Sequence, residues 1–161
     1  MTDLVYSSSD EVSAEEMQAL EESVGFGQHR TLERNRTALA GSVFVATARR
    51  GGDLVGLIRL VGDGAYILHV AGLTVRPDVQ RRGIGRRLVE MAVAFARQTR
   101  VGSGGSLGEF TLFANTDADT FYEKLGFTLV PNGMVLTDSP QRKQHEVGFQ
   151  EQWCKARKEK C

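Results

Sequence analysis

From Gln80 to Gly85 the chain reads Gln-Arg-Arg-Gly-Ile-Gly, and Arg86 and Arg87 follow directly. A β-branched apolar run ending at Val75 precedes this stretch, and a run with helical apolar spacing begins inside it. That is strand, turn, helix. A glycine turn opening a helix points several unpaired backbone N–H groups one way, and the helix dipole adds partial positive charge at the same end. The chemistry on offer is anion binding, with phosphate the natural occupant. The glycines do not satisfy the G-x-G-x-x-G spacing of a dinucleotide fold, and no G-x-x-x-x-G-K-[ST] loop is present. The bland alternative is a turn flanked by solvated arginines.

The whole chain sets limits on that chemistry. Its 161 residues, 41% apolar and 25% charged, suit one compact α/β or α+β domain with an ordinary core. Twenty basic residues balance twenty acidic ones, so bulk attraction to nucleic acid or to an anionic membrane is not indicated. The positive charge is local: Arg76, Arg81, Arg82, Arg86 and Arg87 crowd one segment, whereas no Lys or Arg precedes residue 26. Cys154 and Cys161 lie outside any metal-like cluster, so neither a disulfide framework nor a zinc site is expected. The N-terminus is acidic where a targeting peptide is basic, and no apolar run approaches membrane-spanning length. The expectation is a cytoplasmic protein without a metal.

Elements that position the turn follow from periodicity. Leu4–Tyr6 reads as a first strand. Met17, Leu20 and Val24 recur at helical spacing in 14–24, with Asp10 or Ser13 as cap, and a weaker helix covers 31–40. Residues 42–47 and 54–61 read as a hairpin around Gly51-Gly52, and 65–75 as the third strand of the meander. Ile84, Leu88, Met91 and Phe95 mark the buried stripe of the helix after the turn. A strand over 110–114 then lies parallel to the strand before the turn, or near it. A short helix over 118–125, capped by Thr116 or Asp117 and ended by Gly126, precedes a final hairpin of 127–130 and 134–137.

Gln80–Gly85, following Val75-Arg76-Pro77, resembles the coenzyme A pyrophosphate signature of the GNAT superfamily of N-acetyltransferases, with its Q/R-x-x-G-x-G/A core. Asn115–Phe127, NTDADTFYEKLGF, resembles the second block of that family, where a helix carries a tyrosine ahead of a Gly-Phe pair. The resemblance covers about residues 4–137 and implies an α/β (α+β) GNAT fold. Its mixed central sheet would have about six to seven strands, with helices on both faces and a splay at the cofactor-binding strands. It also implies a domain over 1–138, followed by a polar, basic tail over 139–161.

For the site, the resemblance implies acetyl-CoA as co-substrate. Its pantetheine arm would bond to backbone groups of Leu73, Thr74 and Val75, as an added strand does. Gln80, Arg81, Arg82, Gly83, Ile84, Gly85 and Arg86 would hold the pyrophosphate. Asn115, Phe121 and Lys124 belong to the second block and are carried over as cofactor contacts. A bulge near Ala71-Gly72 is the expected cause of the splay.

Acetyl transfer to an amine needs a base for the ammonium and an acid for the departing thiolate. Tyr122 matches the family tyrosine and is the candidate acid. His69 stands four residues before Leu73, on a strand where family members place a base or a water relay, and an imidazole titrates near neutrality. Strict alternation puts His69 on the face of Ala71, Leu73 and Val75. A packing tyrosine and a core histidine are the competing readings, and His29 and His145 receive no role.

The expected activity is transfer of acetyl to a primary amine, of a small molecule in the first reading, by direct attack in a ternary complex. A protein N-terminus or lysine as acceptor, and a catalytically silent acyl-CoA-binding domain, are the alternatives. Phe149 and Trp153 in the polar tail leave room for a homodimer.

Overall fold

A computed structural model describes residues 3–26, 30–99, 109–115 and 118–130. The chain divides into two compact units, Met1–Phe113 and Ala114–Cys161. The expected strand at 134–137, the tail over 139–161, His29, His145, Thr116 and Asp117 lie outside the described residues.

The first unit is built on one sheet. Its strands are β1 (Leu4–Ser7), β2 (Phe44–Arg50), β3 (Asp53–Gly62), β4 (Ile67–Val75) and β5 (Glu109–Leu112), adjacent in that order. The first four pair antiparallel, and β4 pairs parallel with β5. Gly51 and Gly52, at φ 60° and 94°, form the two-residue turn between β2 and β3. That geometry suits the twist of a hairpin and favours glycine. Five strands are present among the described residues, against about six to seven expected. Phe127–Val130, expected as a strand, carries none, and its expected hairpin partner lies outside the described residues.

Helix α1 (Ala14–Ser23) begins with a capping box. The Ser13 hydroxyl accepts from the Glu16 N–H at 3.1 Å, and the Glu16 carboxylate accepts from the Ser13 N–H at 3.0 Å. Asp10, the other candidate cap, instead accepts from the Thr47 hydroxyl at 3.0 Å and from Arg49 Nε at 3.3 Å. Met17 and Leu20 bury against Leu54 and Leu57 of β3. Helix α2 (Leu32–Ala40) is capped by Thr31. Buried Arg59 of β3 reaches its C-terminal end, donating to the Ala38 carbonyl at 2.8 Å and to Ser42 Oγ at 2.7 Å. A cation there also complements the helix dipole.

Helix α3 (Ile84–Thr99) covers the opposite face. Ile84, Leu88, Val89, Ala92 and Ala96 are its buried residues, and Phe95 stacks on Phe44 of β2 at 4.5 Å. Met91, expected in the buried stripe, is only partly buried. Gly56 makes the close approach of α3 possible, because a Cβ there would sit 3.0 Å from Ile84 Cγ2, 3.1 Å from Leu88 Cδ1 and 3.2 Å from the Ala48 Cβ. Gly56→Val is therefore expected to overpack this contact and to cost about 1–3 kcal/mol. Urea unfolding checks this, and an unchanged midpoint would show that the helix yields freely.

Two irregularities shape β3 and β4. Pairing slips between Ala48 and Arg49, where β3 carries Val55 as an extra residue. It slips again where Arg59 and Leu60 face Gly72 and Val70, leaving Ala71 as the extra residue of β4. The second is the expected bulge. Parallel pairing runs from Ile67↔Glu109 to Val70↔Leu112, so β4 continues from Ala71 to Val75 after its ladder with β5 has ended.

In the second unit, α4 (Asp119–Glu123) starts at Ala118 with no side-chain cap. It ends in a Schellman motif around Gly126, at φ 89°. The Phe127 N–H donates to the Tyr122 carbonyl at 3.1 Å, and the Gly126 N–H to that of Glu123 at 2.9 Å.

Candidate active site

The glycine turn follows β4 after a short 3-10 turn, Pro77–Val79. Arg81 and Gly83 both have left-handed backbones, at φ 61° and 82°. That conformation is free for glycine, whereas an L-residue such as Arg81 pays about 1–2 kcal/mol. Gly83 precedes α3, and its carbonyl accepts the first bond of the helix, from the Arg87 N–H at 3.0 Å. The N–H groups of Ile84, Gly85 and Arg86 therefore have no acceptor within the helix. Among the described residues, chain neighbours aside, no atom lies within 4 Å of a Cβ built on Gly83, so space stands open at this donor cluster.

The arginines divide into two sets. Arg76 is tied to Asp78, Nε to Oδ1 at 2.7 Å, and Arg50 holds the same carboxylate at 2.8 Å. Arg87 pairs with Glu90 at 3.7 Å. Arg81, Arg82 and Arg86 are exposed and form no ion pair among the described residues. Three cations and three N–H groups beside an open space fit a pyrophosphate. The Gln80 side chain is used otherwise: Nε2 donates to the Val75 carbonyl at 2.8 Å and fastens the turn to the end of β4.

The end of β4 presents backbone donors and acceptors. The Arg76 N–H bonds the Val55 carbonyl at 2.9 Å, which fixes the antiparallel alternation with β3. Thr74 consequently turns its N–H and C=O toward β3. Leu73 and Val75 turn theirs away, to the side where the ladder with β5 has already ended. The resemblance implied backbone contacts from all three residues, but Thr74 is committed to the sheet and the Val75 carbonyl accepts from Gln80 Nε2, so the open edge is presented by the N–H and C=O of Leu73 and the N–H of Val75. An extended ligand added there would restore hydrogen bonds the sheet has given up.

His69 is a register partner of Val61 on β3 and of Thr111 on β5. The bulge changes its face. Counting by twos placed it with Leu73 and Val75, but the extra residue at Ala71 shifts the parity, and His69 shares the α1–α2 face with Arg59 and Gly72. Its Nδ1 lies 2.9 Å from Thr111 Oγ1. Phe113, 67% exposed, tilts its ring against the imidazole with centroids 5.2 Å apart. Burial pulls the imidazole below its ordinary value, so neutral His69 is favoured at pH 7. Such a group can accept a proton.

In the second unit the Tyr122 ring packs edge-on against Phe121 and Phe127, at 5.0 Å and 5.6 Å. The contact with Phe127 joins the two ends of the Schellman motif. Among the described residues the Tyr122 hydroxyl has no hydrogen-bond partner. Burial raises its pKa, which keeps the phenol protonated and able to donate. Asn115 accepts from the Ala118 N–H through its carbonyl at 2.9 Å, and Lys124 is exposed in the turn after α4. A separate depression of about 370 Å³, lined by Glu16, Leu20, Asp53 and Arg76 among others, contains neither His69 nor the glycine turn. Thr111 was not singled out by sequence, and neither was the left-handed backbone of Arg81, although Arg81 itself was an expected pyrophosphate contact. The first depends on strand register, and no residue-type signal marks the second.

Comparison with known proteins identifies the class of protein to which this fold belongs, the acetyltransferases. Residues 39–129 match the acetyltransferase (GNAT) domain. An uncharacterised N-acetyltransferase of Pyropia yezoensis is 29% identical over 136 residues, covering 82% of this chain and 74% of that protein. The chloroplastic serotonin N-acetyltransferase 2 of Oryza sativa subsp. japonica is 33% identical over 129 residues, covering 76% of this chain and 61% of its own length. A GNAT-family acetyltransferase structure from Streptococcus pneumoniae superposes with a TM-score of 0.69 at 28% identity, covering 84% and 98% of the two chains. The chain belongs to the GNAT acetyltransferase family. Among the described residues no group of three metal-ligating side chains occurs, and no helix is long and apolar enough to cross a membrane.

Proposed function

We propose that the chain transfers acetyl from acetyl-CoA to the primary amine of a small molecule by direct attack in a ternary complex. One observation carries the reading: β4 bears an imidazole at His69, a bulge at Ala71, open-edge backbone groups at Leu73 and Val75, and the glycine turn five residues beyond its end. Acetyl-CoA supplies the acetyl group as a thioester. Ile84, Gly85 and Arg86 N–H groups, with Arg81, Arg82 and Arg86 side chains, hold the pyrophosphate. Leu73 and Val75 bond the pantetheine arm. His69 removes the proton from the ammonium, directly or through water, and Tyr122 protonates the departing thiolate. Asn115, Phe121 and Lys124 complete the contacts that the family resemblance gives to the second block.

Thiol release from acetyl-CoA, assayed with a panel of small primary amines and a lysine peptide, tests the activity. Amine-dependent release with small acceptors is expected. Release with the peptide alone would move the acceptor to protein, and tight coenzyme A binding with no release would make this a silent binding domain. Gly83→Asp should raise the KM for acetyl-CoA at least about tenfold with little change in kcat, because a carboxylate then fills the open space at the anion cradle and a side chain enters a left-handed position. Initial rates at varied acetyl-CoA check this, and an unchanged KM would place the pyrophosphate elsewhere.

A further inference from the structure

His69 and Thr111 face each other across the parallel β4–β5 pair, and both side chains leave the sheet on the α1–α2 face. A neutral imidazole carries one N–H and one basic lone pair, and the partner of one nitrogen decides which is which. Thr111 Oγ1 is 2.9 Å from Nδ1. If the hydroxyl accepts from Nδ1–H, the lone pair goes to Nε2. If it donates to a bare Nδ1, then Nε2 holds the proton and cannot act as a base.

Among the described residues, Thr111 is the polar side chain in hydrogen-bond contact with the ring. Phe113, on the other contact of the ring, is apolar. The charged groups on this face are Arg59 of β3, Glu21 of α1, which interacts electrostatically with Arg59, and Glu109 of β5, which is exposed and whose carboxylate has no hydrogen-bond or ion-pair partner among the described residues. Arg59 is engaged with the end of α2, and Glu21 is bound to Arg30 and to Asn35 Nδ2 at 3.5 Å. Asp63, in the turn between β3 and β4, accepts the N–H groups of Ala65, Tyr66 and Ile67 at 2.8–2.9 Å. No carboxylate is bonded to the imidazole among the described residues. A hydroxyl therefore stands where a carboxylate commonly sets the tautomer.

We propose that Thr111 is a positioning residue that holds the proton of neutral His69 on Nδ1 and so leaves Nε2 as the basic nitrogen. This rests on the reading of His69 as the base. A threonine is suited to the task because it carries no charge. It orients the ring without adding a negative charge that would raise the imidazole pKa.

Long-range proton–nitrogen NMR correlation on the 15N-labelled chain, above the His69 titration, reads the tautomer directly. The wild type should be protonated on Nδ1. Thr111→Ser should preserve that form, and the isosteric Thr111→Val should shift the ring toward Nε2–H. With Thr111→Val, kcat should fall about tenfold, the weight of one neutral hydrogen bond, at an unchanged KM for acetyl-CoA, and serine should restore most of it. A wild-type proton on Nε2 overturns the proposal whether or not the variants fold. So does a tautomer indifferent to the valine, or a shifted tautomer with unchanged kcat. If the tautomer follows Thr111 while His69→Ala keeps its turnover, the base assignment falls and the hold of Thr111 on the ring stands.

Discussion

His69→Ala is expected to lower kcat/KM about 10²–10⁴-fold, the usual contribution of a positioned general base. In the wild type, activity should fall as pH drops through the His69 pKa, because imidazolium has no lone pair to offer. Burial places that pKa below the ordinary value of about 6.5, so the acidic limb should lie under that pH. The alanine variant should lose the limb or show it displaced. The same shift has a consequence for stability. With the folded pKa below the unfolded one, the unfolded chain takes up the proton first as pH falls. The stability contributed by neutral His69 is present above about 6.5 and is lost as pH falls through the folded pKa. Unfolding midpoints across that window should therefore be flatter for the alanine variant. A retained acidic limb, with near wild-type rates, would send the search for a base elsewhere.

Tyr122→Phe removes one oxygen and keeps the ring. The edge-on contacts with Phe121 and Phe127, and the Schellman turn at Gly126, do not depend on the hydroxyl. Thermal stability should accordingly change by less than about 1 kcal/mol. Turnover should behave differently. Loss of the proton donor to the thiolate is expected to lower kcat about 10²-fold or more, with the KM for acetyl-CoA little affected. Because burial raises the phenol pKa, the wild type should stay active to high pH before its donor ionises. Steady-state kinetics against pH test this, and near-normal kcat across the range would remove Tyr122 from the mechanism.

The glycine turn, a cap at Asp10 or Ser13 and the left-handed end at Gly126 were legible in the sequence because each is decided within a few residues. A left-handed backbone favours glycine, and a helix start favours a short polar cap. The strand order was legible for a related reason: short turns join the meander, and a helix of sixteen residues forces the crossover that makes β4 and β5 parallel. The bulge at Ala71 was expected only through the family resemblance, since neither alanine nor its neighbours mark an inserted residue.

Sequence by itself thus located the glycine turn and the strand that feeds it, and the family resemblance added His69 and Tyr122 as candidate proton carriers. Tertiary structure decided what those groups face. One extra residue at Ala71 moved Leu73 and Val75 to the face opposite His69, because side chains alternate with a period of two and a single insertion inverts every position beyond it. Pairing across β4 and β5 then brought Thr111 to Nδ1 of His69, although 42 residues separate them along the chain. Register is a property of two strands together, and nothing local to either encodes it.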